Sequence, residues 1–139
     1  MTTTRPLPVP DELTAPFWDA AARHELTLAR CSRCAESTLP PGTVCPHCGS
    51  TDPDWEFVAV DGHGTVRSWT IVRQTFLPGL ADEIPFVLVD VELAARPDVR
   101  LIGRLLDGVD APLELGAAVR TTFEDLTPEV ALPAFELDR

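Results

Sequence analysis

All four cysteines of this 139-residue chain fall in one stretch, CSRCAESTLPPGTVCPHCGS, as two Cys-x-x-Cys pairs with ten residues between them. A Cys-x-x-Cys turn aims two sulfurs at one point, and two such turns complete the tetrahedral set that zinc prefers. Cys31, Cys34, Cys45 and Cys48 are therefore the expected ligands of one structural zinc ion, with iron the alternative occupant of the same cage. Four thiolates leave no open position for an activated water, so a catalytic metal is not expected. A redox dithiol ordinarily needs one Cys-x-x-Cys at a helix start, not two matched pairs. His47, inside the second pair, would have to displace a cysteine from a complete set and is not counted as a ligand.

The compartment follows from the same cysteines. The opening MTTTRPLPVP lacks the basic segment and apolar stretch of a secretory signal, and no apolar run is long enough to cross a bilayer. The expected location is the cytoplasm, where reducing conditions favour metal ligation over disulfides. With 45% hydrophobic and 24% charged residues the chain reads as a globular protein. Its formal charge is −11, and all 11 basic residues are arginines. That field opposes a phosphate backbone, so neither nucleic acid nor membrane is an expected partner. Arginines can still grip one small phosphorylated ligand such as coenzyme A through bidentate hydrogen bonds.

Three regions are expected: an N-terminal arm and helix over 1–30, a zinc ribbon over 31–54 and an OB-fold over 55–139. Leu13, Phe17 and Ala21 recur at helical spacing, which predicts a helix from Pro16 to His24 with Asp11 or Thr14 as its N-cap. The segment ELTLARC alternates and leads into the first knuckle as a short strand. From Trp55 the pattern turns to strands: WEFVAVDG, GTVRSWTIVR, IPFVLVDVEL, VRLIGRLL and AVRTTFED. Five such strands predict a small closed barrel of the OB type, with a short terminal strand over Ala134–Leu137 in addition. FLPGLADEIP is too long for a tight hairpin and is a candidate binding loop, and GVDAPLELGAAV is a second long connection that turns at Gly116.

No catalytic constellation emerges. His63 lies between two glycines at a strand mouth with no evident nucleophile, and Ser68 lacks the flanks of a nucleophile elbow. Arg67, Arg73, Arg100, Arg104 and Arg120 fall in or beside strands, where solvated or salt-bridged arginines are the simpler reading. Trp69, Phe76 and Phe86 are candidates for a stacking face, as in OB modules that bind single-stranded nucleic acid, or for core and interface positions. Phe17 and Trp18 are adjacent on one short helix, so one faces the core and the other is free to dock a partner.

In their order, PFWDAAARHELTLARC, the two knuckles flanking Pro40 and Pro41, WEFVAVDGHGTVRSWTIVR, IPFVLVDVEL and LIGRLLDG resemble the acyl-CoA-associated family called domain of unknown function 35. The resemblance runs from about Pro16 to Phe135. It implies a mainly β protein with a rubredoxin-like zinc ribbon and an OB barrel. It further implies a non-catalytic accessory subunit in a hetero-oligomer with a thiolase-like enzyme, such as a steroid side-chain-cleaving aldolase, with possible acyl-CoA contact. A MaoC-type enoyl-CoA hydratase is the alternative partner that the family implies. Two positions depart from its pattern: Ala35 stands where members often carry Gly, and Gly42 where they often carry a basic residue. An alanine in a left-handed backbone costs roughly 1 kcal/mol.

Overall fold

The computed structural model describes residues 5–138, so residues 1–4 of the expected arm lie outside the described residues. Residues 6–10 form neither helix nor strand. Asp11 then starts the helix: its Oδ1 accepts from the backbone N–H of Leu13 (2.9 Å) and Thr14 (2.8 Å) and from the Thr14 hydroxyl (3.0 Å). These donors, the Thr14 amide foremost, hold the Asp11 carboxyl below the usual carboxylate range. Thr14 occupies the N-cap position without a side-chain capping bond, and α1 runs Ala15–Ala22 with Pro16 in its first turn.

The helix is shorter than expected because His24 adopts φ 62. Its N–H donates to Ala21 O (2.8 Å) and that of Glu25 to Ala20 O (3.0 Å), a Schellman ending with histidine in glycine's usual place. The barrel compensates this backbone. The His24 ring stacks on Phe123 at 5.3 Å, and its Nε2 lies 2.7 Å from Asp125 Oδ1.

Two sheets follow. The first has the order β2-β1-β3, with β1 Leu26–Arg30, β2 Ser37–Thr38 and β3 Glu56–Val60, all antiparallel. The second is a closed five-stranded barrel of β4 His63–Val72, β5 Phe86–Leu93, β6 Arg100–Leu105, β7 Ala118–Thr127 and β8 Val130–Leu137, in the order β4-β5-β6-β8-β7. The barrel closes through β7 on β4 at His63–Thr65, and β6 meets β8 in parallel at Ala134 and Phe135. This is the connectivity of a Greek-key OB barrel.

Barrel and ribbon exchange one strand relative to expectation. WEFVAVDG supplies β3, which pairs with β1 from Leu26↔Val60 to Arg30↔Glu56 and belongs to the ribbon sheet. The fifth barrel strand is the C-terminal segment, eight residues long rather than the expected four. β8 pairs with β7 from Val119↔Leu137 to Thr127↔Val130.

Strict alternation builds the barrel interior. Val87, Val89, Val91 and Leu93 of β5 are buried, joined by Val66, Leu105, Val119 and Phe135 from the other strands. A register slip between Val66 and Ser68 marks a bulge at Arg67, and bulges of this kind sharpen the bend that a small barrel needs. At Gly64 a Cβ would come within 2.5 Å of Glu92 O, so only glycine permits this β4–β5 approach. Phe17, Leu26 and Leu28 lie in the same apolar cluster as these barrel residues, which fastens α1 and β1 to the barrel. Among the described residues, no helix is long and apolar enough to cross a membrane.

Candidate functional site

Each knuckle is a repeated local design. After the first pair, Ala35 N–H donates to Cys31 O (2.8 Å), and after the second, Gly49 N–H donates to Cys45 O (2.9 Å). Both turn residues are left-handed, Ala35 at φ 67 and Gly49 at φ 75. The expected left-handed alanine is therefore present, and the chain bears its steric cost there. Inside each turn an amide points at the first sulfur: Arg33 N–H lies 3.3 Å from Cys31 Sγ and His47 N–H 3.4 Å from Cys45 Sγ. Such N–H···S bonds favour thiolate over thiol.

The four sulfurs all lie within 4.8 Å of one another. Cys31 and Cys48 are 3.9 Å apart, and Cys34 and Cys45 3.8 Å. A tetrahedron with metal–sulfur bonds of about 2.3 Å has edges of roughly 3.8 Å, so this donor set is positioned to bind one metal ion. Two of the thiols are shifted in opposite directions. Burial, then hydrogen bonding among the four sulfurs, pushes the Cys34 thiol up to about 12. At Cys45 burial works the same way but is outweighed, chiefly by the Cys48 and His47 amides, which bring it down to about 6. His47 turns its ring away, with Nε2 3.2 Å from Ser37 O.

Polar clips hold the ribbon around these knuckles. Arg33 bonds Asp52 twice, through Nε to the backbone O (2.8 Å) and through Nη2 to Oδ2 (2.9 Å). Trp55 Nε1–H donates to Gly42 O (2.8 Å) across the ribbon. Arg96, between β5 and β6, pairs with Glu36 of the ribbon and with Asp98 (2.7 Å), and the first of these ties ribbon to barrel.

A groove of about 570 Å³ lies where α1, the ribbon and the barrel meet. Phe17 and Trp18 of α1 and Pro40 and Pro41 of the ribbon line one side; Phe86, Leu88 and Ile102 of the barrel line the other. Leu77 and Leu80 of the 73–85 connection add to the lining. Arg104 Nη1 lies 3.0 Å from Glu83 and 3.9 Å from Glu124, with its guanidinium 5.1 Å from the Phe86 ring centre. Arg5 Nη1 donates to the same Glu124 (3.1 Å).

The sequence candidates disperse around this geometry. Phe17 is buried and Trp18 half-buried, the two rings edge-to-face at 5.0 Å, so both serve the groove. Phe86 lines the groove, but Trp69 does not, and Phe76 is 98% exposed on its loop. His63 lies 3.7 Å from Asp61 and 3.6 Å from Asp138. Arg67, Arg100 and Arg120 pair with Glu92 (3.8 Å), Asp90 (3.1 Å) and Glu136 (2.9 Å). Of the five strand arginines, Arg100 and Arg104 reach the groove. Sequence reasoning missed several groove residues, among them Arg5, Leu39, Ile102, Glu124 and Leu132. One signal was available: Phe86 and Leu88 make the first half of β5 apolar on both faces, whereas Asp90 and Glu92 make its second half polar outside.

A four-cysteine ribbon fastened by a helix to an OB barrel defines the class of zinc-ribbon/OB-fold proteins. Residues 18–54 match the family described as ChsH2, rubredoxin-like zinc ribbon domain, and residues 57–124 match ChsH2, C-terminal OB-fold domain. The solved structure of the Ltp2-ChsH2(DUF35) aldolase contains a chain 33% identical to this one; the match covers 94% of this chain and 98% of that chain, with a TM-score of 0.80. The chain belongs to the ChsH2 (DUF35) family. A DUF35 protein of unknown function from Sulfolobus solfataricus shares the fold at 17% identity and TM-score 0.59, covering 91% of this chain and 86% of that one. Two curated relatives are each 34% identical. One is a probable enoyl-CoA hydratase alpha subunit of Thermomonospora curvata, the other a 3-oxo-4,17-pregnadiene-20-carboxyl-CoA hydratase alpha subunit of Mycobacterium tuberculosis. The matches cover 94% and 90% of this chain but only 39% and 38% of those proteins.

Proposed function

We propose that the chain is a non-catalytic accessory subunit that docks on a thiolase-like acyl-CoA enzyme, a steroid side-chain-cleaving aldolase, and supports its stability or activity. The observation that carries this reading is the match along both modules to nearly the whole of a chain from a two-component aldolase. Cys31, Cys34, Cys45 and Cys48 hold zinc in this reading. A zinc ion held there would cross-link the two knuckles and neutralise the four thiolates, and four thiolate ligands would leave it no open position for catalysis.

The chain is to be co-expressed with the thiolase-like protein of its own source and the pair purified through a tag on one partner. A stoichiometric complex is expected, with about one zinc per chain and retro-aldol cleavage of a steroid acyl-CoA that requires both proteins. Separate elution, together with turnover unchanged by the added chain, would overturn the reading. A second reading, partnership with a MaoC-type hydratase, is favoured by the names of the two curated relatives. The same preparation, challenged with an enoyl-CoA and a co-expressed MaoC-type protein, distinguishes the two.

A further inference from the structure

We propose that the free edge of β4 takes up an extended, acidic segment of the partner enzyme by strand addition, with Arg73 pairing to a carboxylate on that segment. The inference rests on the docking role proposed above and adds where the chain docks and by what chemistry.

Over its second half β4 is paired on one side only. β5 pairs it from Ser68↔Asp90 to Val72↔Phe86, but β7 pairs it only at His63, Gly64 and Thr65. The last backbone bonds on the β7 side join Val66 to Gly116 and Ala117. Among the described residues, no backbone group bonds residues 67–72 on the side away from β5. Their alternate N–H and C=O groups therefore look outward along about 20 Å of strand, at about 3.3 Å per residue. Globular proteins ordinarily blunt such an edge with proline, charge or a bulge. Here the bulge lies at Arg67, and residues 68–72 beyond it carry neither proline nor charge. Ser68, Trp69 and Thr70 are exposed, so the edge is open to a further strand.

Charge selects the kind of strand. Residues 62–81 hold two arginines and no Asp or Glu, in a chain whose 22 acids all lie elsewhere. These arginines, Arg67 and Arg73, flank the free edge. Arg67 has Glu92 at 3.8 Å. Arg73 is exposed and has no ion-pair or hydrogen-bond partner among the described residues, whereas every other described arginine has a carboxylate within 4.0 Å. Three residues further on, Phe76 is 98% exposed and Leu77 beside it 55%. A segment with a carboxylate for Arg73 and apolar side chains for Phe76 and Leu77 satisfies what this surface leaves unpartnered. A second copy fits worse, because it brings the same arginines to the edge and sets a charge of −11 against −11.

The test compares the free zinc-loaded chain with its complex with the co-expressed thiolase-like protein of its own source. In the complex, alternate amides of residues 67–72 should exchange hydrogen at least about tenfold more slowly than in the free chain. Arg73→Glu should weaken association about tenfold at low salt and less at high salt, and Arg73→Lys should weaken it little. Arg23→Glu, on α1, makes the same change in net charge away from the edge and should leave the affinity unchanged. Both arginines are exposed, and circular dichroism with zinc content checks that each variant folds. Absence of any complex would overturn the docking role and this inference together. A complex in which residues 67–72 exchange as in the free chain, or one that ignores Arg73→Glu or responds equally to Arg23→Glu, would overturn the inference alone. Protection of the same amides that rises with the concentration of the free chain would assign the edge to a second copy and overturn it likewise.

Discussion

From Cys31 to Trp55 the buried residues are two cysteines and two prolines, Pro41 and Pro53, whereas the barrel strands bury a valine or leucine at every second position of β5 and enclose Phe135 completely. The ribbon thus relies on turns and polar clips around four sulfurs positioned for a metal ion, while the barrel holds its shape with apolar surface removed from water. The lesson is one of location: where a loop-rich segment cannot form a core, four cysteines positioned for a metal ion lie at its centre instead.

The strongest way to break this contrast is to remove the metal. Chelation, or Cys45→Ser, should remove on the order of 10 kcal/mol of binding energy from folding. Amides across the ribbon should lose their protection from hydrogen exchange while β5 to β8 keep theirs; uniform loss in both regions would show that the contrast is false. The converse is Phe135→Ala, expected to cost about 3–5 kcal/mol because a fully enclosed ring leaves a cavity. Its denaturation midpoint should fall steeply, with zinc still bound at concentrations of denaturant where the barrel is native.

Finer substitutions sharpen the comparison. Gly64→Ala would push a methyl against the Glu92 carbonyl, so about 1–3 kcal/mol of destabilisation is expected, localised by exchange to the β4–β5 ladder. Ala35→Gly should move the other way by less than about 1 kcal/mol, since it relieves the left-handed backbone at the first knuckle. The readout is slower zinc release to a chelator, with the midpoint for barrel unfolding unchanged.

Sequence made some of this legible and hid the rest for physical reasons. The cysteine spacing carried the convergence of the four sulfurs, because two tight turns leave little freedom in where they meet. The left-handed residue after the first knuckle was readable too, since the second knuckle has Gly49 at the equivalent place. The partners of the strands were not readable. Alternation in EFVAV identifies a strand without naming its neighbour, and β3 pairs backward with β1 across the whole ribbon. β8 was underestimated because Pro133 argues against a strand interior; it lies just outside the short ladder to β6, which begins at Ala134. The groove escaped because it is assembled from α1, the Pro40–Pro41 turn and outward-facing barrel side chains far apart in sequence. Its clearest trace, the doubly apolar first half of β5, reads equally well as a strand buried on both sides.

The Pro40–Pro41 wall of the groove lies between the two knuckles, and Arg104 lies on the barrel. Any molecule seated between them would therefore be touched by a part that a metal on the four cysteines would shape and by a part that it would not. Thermodynamic reciprocity then binds the two equilibria together: whatever factor the metal adds to that molecule's affinity, the molecule must return to the metal. A groove ligand that binds more tightly to the metal-loaded chain would raise the affinity of the four cysteines for the metal by the same factor, without touching one of them.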